Sequence, residues 1–228
     1  MKLKKKIIVF ENITKSYSIG AGTVKALNDI NFTMYENEFI AIMGASGSGK
    51  TTFLNILGCM DRPTSGNFFL DDINVSQMPD EKLSKIRNKM IGMVFQSYNL
   101  IPQLNVIENI EVPLFYRKTD ITDKDRQRIF LIAENLGLQD RLYHKPSELS
   151  GGQQQRIAIA RSLINEPVLL LADEPTGNLD SKTGADIMNI LVELHKNGKS
   201  IIIVTHDPKI ADYTERRIIL SDGNIISQ

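Results

Sequence analysis

Residues 39–60 read FIAIMGASGSGKTTFLNILGCM, and this stretch constrains the fold more than any other. Five apolar residues, 39–43, match the length of one buried strand. A Gly-rich turn over 44–51 follows. Phe53, Ile56, Leu57 and Met60 then recur at i, i+3, i+4 and i+7, the spacing of a helix with one apolar face. Strand, loop and helix in this order are the setting of a phosphate-binding loop, whose pattern G-x-x-x-x-G-K-[ST] is met by Gly44, Gly49, Lys50 and Thr51. Chemistry explains the residue types. Glycines let backbone N–H groups converge on phosphate oxygens at the positive end of a helix. Lys50 supplies a point charge to the β- and γ-phosphates, and the Thr51 hydroxyl suits Mg²⁺. Gly44, Ala45, Ser46, Gly47, Ser48, Gly49, Lys50, Thr51 and Thr52 together form the candidate cradle of a nucleoside triphosphate.

Composition narrows the partners. Lys+Arg and Asp+Glu both number 27, so no global field draws the chain to nucleic acid, and no nucleic-acid partner is expected. At 228 residues, 42% of them hydrophobic, the chain can bury a large core, as one domain or as a core carrying an inserted subdomain. Cys59 is the single cysteine, which rules out an internal disulfide and suits a reducing compartment. Its place after the phosphate-loop helix points to a buried thiol. No apolar run approaches the ~20 residues of a membrane span. The opening MKLKKKIIVF has four apolar residues before Glu11, too few for a secretory signal. A cytoplasmic protein is expected, with any membrane role reached through a partner.

The remaining chain supplies strands and one helical interruption. Residues 7–43 read as short strands, with turns near Gly20 and Gly22 and at Glu36-Asn37. Tyr17 in this region offers an aromatic face of the kind a base pocket uses. A breaker cluster at 61–66 leads to a strand pair with Asp71-Asp72 at its turn, then to a helix over 80–89 and a strand over 90–96. Gln96 ends that strand as a candidate Mg²⁺ ligand or water-positioning group. Residues 97–150 carry no core-strand signal. Residues 98–113 read as loop-rich, and 122–137 as a helix opened by Thr122 and Asp125 and stopped by Gly137. A helical subdomain inserted into an α/β core is the expectation.

Two further stretches carry chemistry. In LSGGQ, residues 149–153, Ser150 is a natural N-cap, and Gly151 and Gly152 expose N–H groups at the start of the next helix, a second anion-binding end. The apolar run 168–172 then delivers Asp173 and Glu174 at its C-terminal end. Asp173 suits Mg²⁺, and Glu174 is placed to orient or deprotonate an attacking water. Another apolar strand, 200–205, ends at His206, on the sheet edge where α/β proteins bind ligands. His144 and His195 sit in polar contexts and read as structural. A helix over 185–196 and a terminal hairpin turning at Asp222-Gly223 complete the chain.

Together these stretches resemble the ATP-binding subunit of an ABC transporter along essentially the whole chain, with LSGGQ the most specific motif. The resemblance implies a RecA-like P-loop ATPase core (1–96 and 158–228) with an N-terminal antiparallel β subdomain, and a helical signature subdomain (97–157). It implies ATP and Mg²⁺ as ligands, with Thr51, Gln96 and Asp173 at the metal. Tyr17 would stack on adenine, Gln96 would be the Q-loop glutamine and His206 the switch histidine. Asp180, in GNLD, would lie in the D-loop. Ser150, Gly151, Gly152 and Gln153 would close on nucleotide held by a second copy, in a head-to-tail homodimer. Residues 99–114 and 172–180 look narrower still, like the macrolide-export and lipoprotein-release subgroup. That likeness implies an integral membrane permease with an extracytoplasmic domain, and a peripheral position on the inner face of the cell membrane. A few of Tyr98, Leu100, Ile101, Leu104 and Val106 would then line the cleft beside Gln96 that receives a short helix of that partner, the others being core. Two other roles stay open: the cell-division relative that regulates cell-wall hydrolysis, and the soluble ABC proteins of translation and DNA repair.

Overall fold

The computed structural model describes residues 4–20, 22–117 and 119–227. Its centre is a six-stranded sheet in the order β10-β9-β3-β8-β7-β6. Here β3 is Phe39–Met43, β6 Ile91–Phe95, β7 Leu169–Asp173, β8 Ser200–Val204, β9 Arg216–Ser221 and β10 Asn224–Ser227. Strands β3, β6, β7, β8 and β9 run parallel, and only the β9–β10 hairpin is antiparallel. Continuous apolar runs are what such a sheet requires, because both faces are covered. In β3, Ile40 and Ile42 enter one core, while Phe39 and Ala41 enter the other.

The first core lies between this sheet and a second one, ordered β2-β1-β4-β5, with β1 Lys6–Ile19, β2 Gly22–Tyr35, β4 Ser65–Leu70 and β5 Ile73–Asn74. Helix α1, Lys50–Leu57, fills the gap. Its Phe53 ring lies 5.2 Å from Phe10 and 5.5 Å from Phe32, and Phe68 closes the aromatic cluster against Phe10 at 4.7 Å. Met60, placed on this apolar face by spacing, is 41% exposed instead, because α1 stops at Leu57 and Cys59 turns left-handed at φ 51°. The short strands expected before residue 36 are two strands of fourteen residues each. Register shifts absorb their length, and Asn12 and Asp29, both at positive φ, mark the irregularities.

The second core covers the opposite face with helices α3 (Val106–Phe115), α4 (Asp123–Asn135), α5 (Gly151–Leu163) and α6 (Ser181–Lys196). Helix α4 begins as expected, capped by Thr122 and Asp125. Helix α3 does not fit the loop-rich reading of 98–113. Asn105 accepts from Glu108 N–H while the Glu108 side chain accepts from Asn105 N–H, a reciprocal cap that starts a helix. Pro113 falls in its last turn, where its missing N–H leaves the Asn109 carbonyl without the usual donor four residues on. Val106 and Ile110 are buried, Leu100 and Leu104 half-buried and Ile101 exposed. Helix α2, Asp80–Met90, and the short α7, Pro208–Ala211, complete the fold.

Candidate active site

Sheet order places the chemistry. Strands β3, β8, β7 and β6 are neighbours, and their register sets Ile42 beside Val204, Val204 beside Asp173, and Asp173 beside Phe95. Each strand therefore releases its next residues along one edge: the loop from Gly44, then Thr205 and His206, then Glu174, then Gln96. Glycine spacing alone could not reveal this convergence, since the four segments are far apart in sequence.

The loop 44–49 is built for close approach. A Cβ on Gly44, at φ 154°, would run into the Leu220 carbonyl and the Ser48 hydroxyl. One on Gly49, at φ 104°, would strike the Ala26 carbonyl. Gly223 N–H donates to the Ser48 carbonyl at 3.1 Å, and Asn28 N–H donates to the Gly223 carbonyl at 2.8 Å, so the β9–β10 turn braces the loop. Lys50 Nζ donates to the Gly44 and Ala45 carbonyls, both at 2.7 Å, which fixes the ammonium across the loop mouth. The first turn of α1 contains no acidic residue, and its leading N–H groups have no partner inside the helix. The Ser48 hydroxyl is buried without a hydrogen-bond partner. Ammonium, hydroxyl and helix N-terminus form a donor set that fits a polyphosphate.

Asp173 and Glu174 follow β7. Burial, and then the charge of Glu174, push the Asp173 carboxyl above the usual carboxylate range, and Lys50 opposes this. Glu174 adopts a left-handed backbone at φ 44°, and its N–H donates to the Val204 carbonyl at 2.9 Å. Its Oε1 accepts from His206 N–H at 3.1 Å and meets His206 Nδ1 at 2.6 Å. Its Oε2 accepts from the Thr205 hydroxyl at 3.3 Å. The hydrogen bond and charge of Glu174 raise the His206 imidazole above its ordinary pKa.

Gln96 pairs with Asn178 in both directions: Gln96 Nε2 donates to Asn178 Oδ1 at 3.2 Å, and Asn178 Nδ2 donates to the Gln96 carbonyl at 3.0 Å. Tyr98 and Asn99, the residues just beyond, are consecutive left-handed positions, and Arg161 of α5 donates to both of their carbonyls. Asn178 and Arg161 were not singled out from sequence. Neither belongs to a short motif of obvious chemistry, although Asn178 lies within GNLD. Tyr17 is half-buried on β1, and its hydroxyl donates to Asp61 Oδ2 at 2.8 Å.

Ser150 caps α5 as expected, accepting from Gln153 N–H while Gln153 Oε1 accepts from Ser150 N–H. The glycines have a second reason to be there. A Cβ on Gly151 would meet the Tyr98 hydroxyl, and one on Gly152 would meet the Thr183 methyl. Asp180 caps α6, accepting from the N–H groups of Lys182 and Thr183 and from the Thr183 hydroxyl, and these bonds hold its carboxyl below the usual range. That cap starts α6 at Ser181, earlier than its apolar spacing indicates. Gly151 thus packs on Tyr98 and Leu179, and Gly152 and Asp180 on Thr183.

An ABC transporter family model matches residues 27–177. The chain belongs to the ABC transporter ATP-binding family. The ABC transporter ATP-binding protein YvrO of Bacillus subtilis is 47% identical to this cassette over 220 residues, covering 96% of each chain. The macrolide export ATP-binding/permease protein MacB of Escherichia coli is 44% identical over 223 residues, 98% of this chain but 34% of that protein. A dimeric post-hydrolysis structure of the ATP-binding cassette MJ0796, bound to ADP and Pi, superposes with a TM-score of 0.87 at 45% identity, covering 96% of this chain and 97% of that one. MJ0796 comes from Methanocaldococcus jannaschii. The chain is thus the ATPase cassette of a transporter, with export proteins among its relatives and an ABC ATPase fold. No helix among the described residues is long and apolar enough to cross a membrane.

Proposed function

We propose that this cassette hydrolyses ATP with Mg²⁺ in a head-to-tail homodimer and drives export or mechanical work through a separate membrane permease. One observation carries the reading: the loop with Lys50, the Asp173–Glu174 pair, His206 and Gln96 leave four adjacent strands at the same sheet edge. The metal fits the donor set as a companion of the nucleotide. Among the described residues no group of three or more His, Cys, Asp or Glu could hold an ion. Thr51, Asp173 and Gln96 instead offer a few hard oxygens, the sparse set Mg²⁺ accepts when phosphates supply the rest. Held by these residues, Mg²⁺ would supply positive charge against the phosphate oxygens.

The chain's own groups have separable tasks in this reading. The N–H groups of residues 44–52 and the Lys50 ammonium hold the triphosphate. Glu174 takes the proton of the attacking water, with its carboxylate already aimed by Thr205 and His206. Tyr17 stacks on adenine. Ser150, Gly151, Gly152, Gln153 and Asp180 act on the nucleotide of the partner copy. We place the helical subdomain at residues 97–157, and the cassette on the inner face of the cell membrane. MacB is an ATP-binding/permease protein, and the match to it supports a permease partner; the extracytoplasmic domain of that partner rests on the resemblance of residues 99–114 and 172–180 alone.

Replacing Glu174 by Gln removes the base and leaves the phosphate and metal ligands. Turnover should fall by at least about 10²-fold while ATP affinity is preserved, and an ATP-bound dimer should accumulate on size exclusion. Hydrolysis at near wild-type rate would remove Glu174 from its role.

A further inference from the structure

The Tyr17 ring is held from outside its own strand. Its hydroxyl donates to Asp61 Oδ2 at 2.8 Å, while Asp61 Oδ1 accepts from Lys15 Nζ at 2.6 Å and from Arg62 N–H at 2.7 Å. Lys15 Nζ also donates to the Arg62 carbonyl at 2.8 Å, and it stands over the Tyr17 ring, 4.8 Å from its centroid. Lys15 and Tyr17 are two apart on β1 and share a face of the sheet. The Lys15 side chain is only 13% exposed, so this carboxylate cluster is partly withdrawn from water. Asp61 in turn is tied to α1, because its N–H donates to the Asn55 carbonyl at 3.1 Å. The ring is therefore fastened to the helix whose first turn faces the phosphate loop. With an ammonium over one face of the ring, a base has the other face.

We infer that Asp61 is a positioning residue for nucleobase binding: it fixes the Tyr17 ring relative to α1, so that base and triphosphate are held at one set separation. This rests on the reading of Tyr17 as the adenine-stacking residue. Stacking alone would make the hydroxyl dispensable, whereas a tethered ring needs it. Losing the tether leaves the ring to find its stacking geometry from several rotamers, and the penalty falls on the base and not on the phosphates.

The experiment measures equilibrium binding of ATP and of inorganic tripolyphosphate, each with Mg²⁺, by the wild-type cassette and by Tyr17→Phe, Asp61→Ala and Tyr17→Ala. Tyr17→Phe and Asp61→Ala should each weaken ATP roughly 3- to 10-fold, Tyr17→Ala should weaken it more, and tripolyphosphate should bind all four alike. If Tyr17→Ala weakens ATP but Tyr17→Phe and Asp61→Ala bind like wild type, the tether is overturned and stacking stands. If all three bind ATP like wild type, the stacking assignment falls as well. If Asp61→Ala loses ATP and tripolyphosphate together, Asp61 supports the phosphate loop and the inference is overturned. Tyr17→Phe removes the hydroxyl's bonds to Asp61 and to Thr52 and keeps the ring, so wild-type ATP affinity in that variant overturns the tether even if Asp61→Ala proves unstable.

Discussion

At the exit of β8, Glu174 bonds both the backbone N–H and the ring Nδ1 of His206, and the ring pairing has a measurable signature. The pairing raises the imidazole pKa, so the imidazolium form is favoured when Glu174 is ionised. Its contribution to stability is present below the ordinary histidine value and fades as pH rises through the raised one. Because His206 is largely exposed, water screens that contribution and it is small. Replacing Glu174 by Gln removes both the charge and the ionic acceptor. The His206 midpoint should then move down toward that of an ordinary histidine in an NMR titration. A His206 midpoint that does not move would mean the pair is absent in solution. The sequence could locate both residues at strand ends, and strand ends are where chemistry gathers. It could not show that they touch, because that depends on β7 and β8 being neighbours. Cys59 was legible as an inert thiol from its position alone, and burial does push it up to about 12.

Helix ends carry much of the specification between elements. Gly152 at the start of α5 lies against the Thr183 methyl, and the Thr183 hydroxyl bonds Asp180, the cap of α6. The methyl cannot swing aside without breaking that bond. Gly152→Ala should therefore destabilise the cassette by about 1–3 kcal/mol in urea unfolding, as overpacked contacts do. Adding Thr183→Ser, which deletes the methyl and keeps the hydroxyl, should recover most of the loss. A double variant no better than the single one would refute the contact. The same geometry complicates any test that puts Asp at Gly151, where the Tyr98 hydroxyl already stands. Elements with regular periodicity, α1, α2 and α4, were legible because one apolar stripe decides their burial. Helix α3 was not, since an internal Pro113 and a polar Asn109 disguise it. Buried Asn109 instead satisfies the turn before the helix, accepting from Ile101 N–H and donating to the carbonyls of Ile101, Leu104 and Asn105. Irregular backbone leaves no periodic trace, which is why the consecutive left-handed pair Tyr98-Asn99 also escaped notice.

For the whole molecule, the proposed head-to-tail pairing predicts a complementation pattern. Ser150→Arg places bulk and charge on the N-terminal cap of α5. It should leave ATP binding by the monomer intact and abolish ATP-driven dimerisation. Lys50→Ala should weaken ATP binding itself. In a mixed pair, one site carries both defects and the other carries neither, so partial dimerisation should return on mixing, read by analytical ultracentrifugation. Loss of monomer binding in Ser150→Arg would argue against the trans arrangement. The fold class was legible from one stretch, because strand, glycine loop and helix leave few architectures open. Sheet order was not, because a crossover from β3 to its neighbours β8 and β9 spans most of the chain. That crossover has a consequence for how the protein is made. The phosphate loop is translated well before the strands that flank β3 and the Gly223 turn that props Ser48. A nascent chain that has passed residue 52 but not residue 223 carries the phosphate-loop motif without the strands that flank β3 or the turn that props Ser48, so ATP capture is expected to follow synthesis of the β9–β10 hairpin.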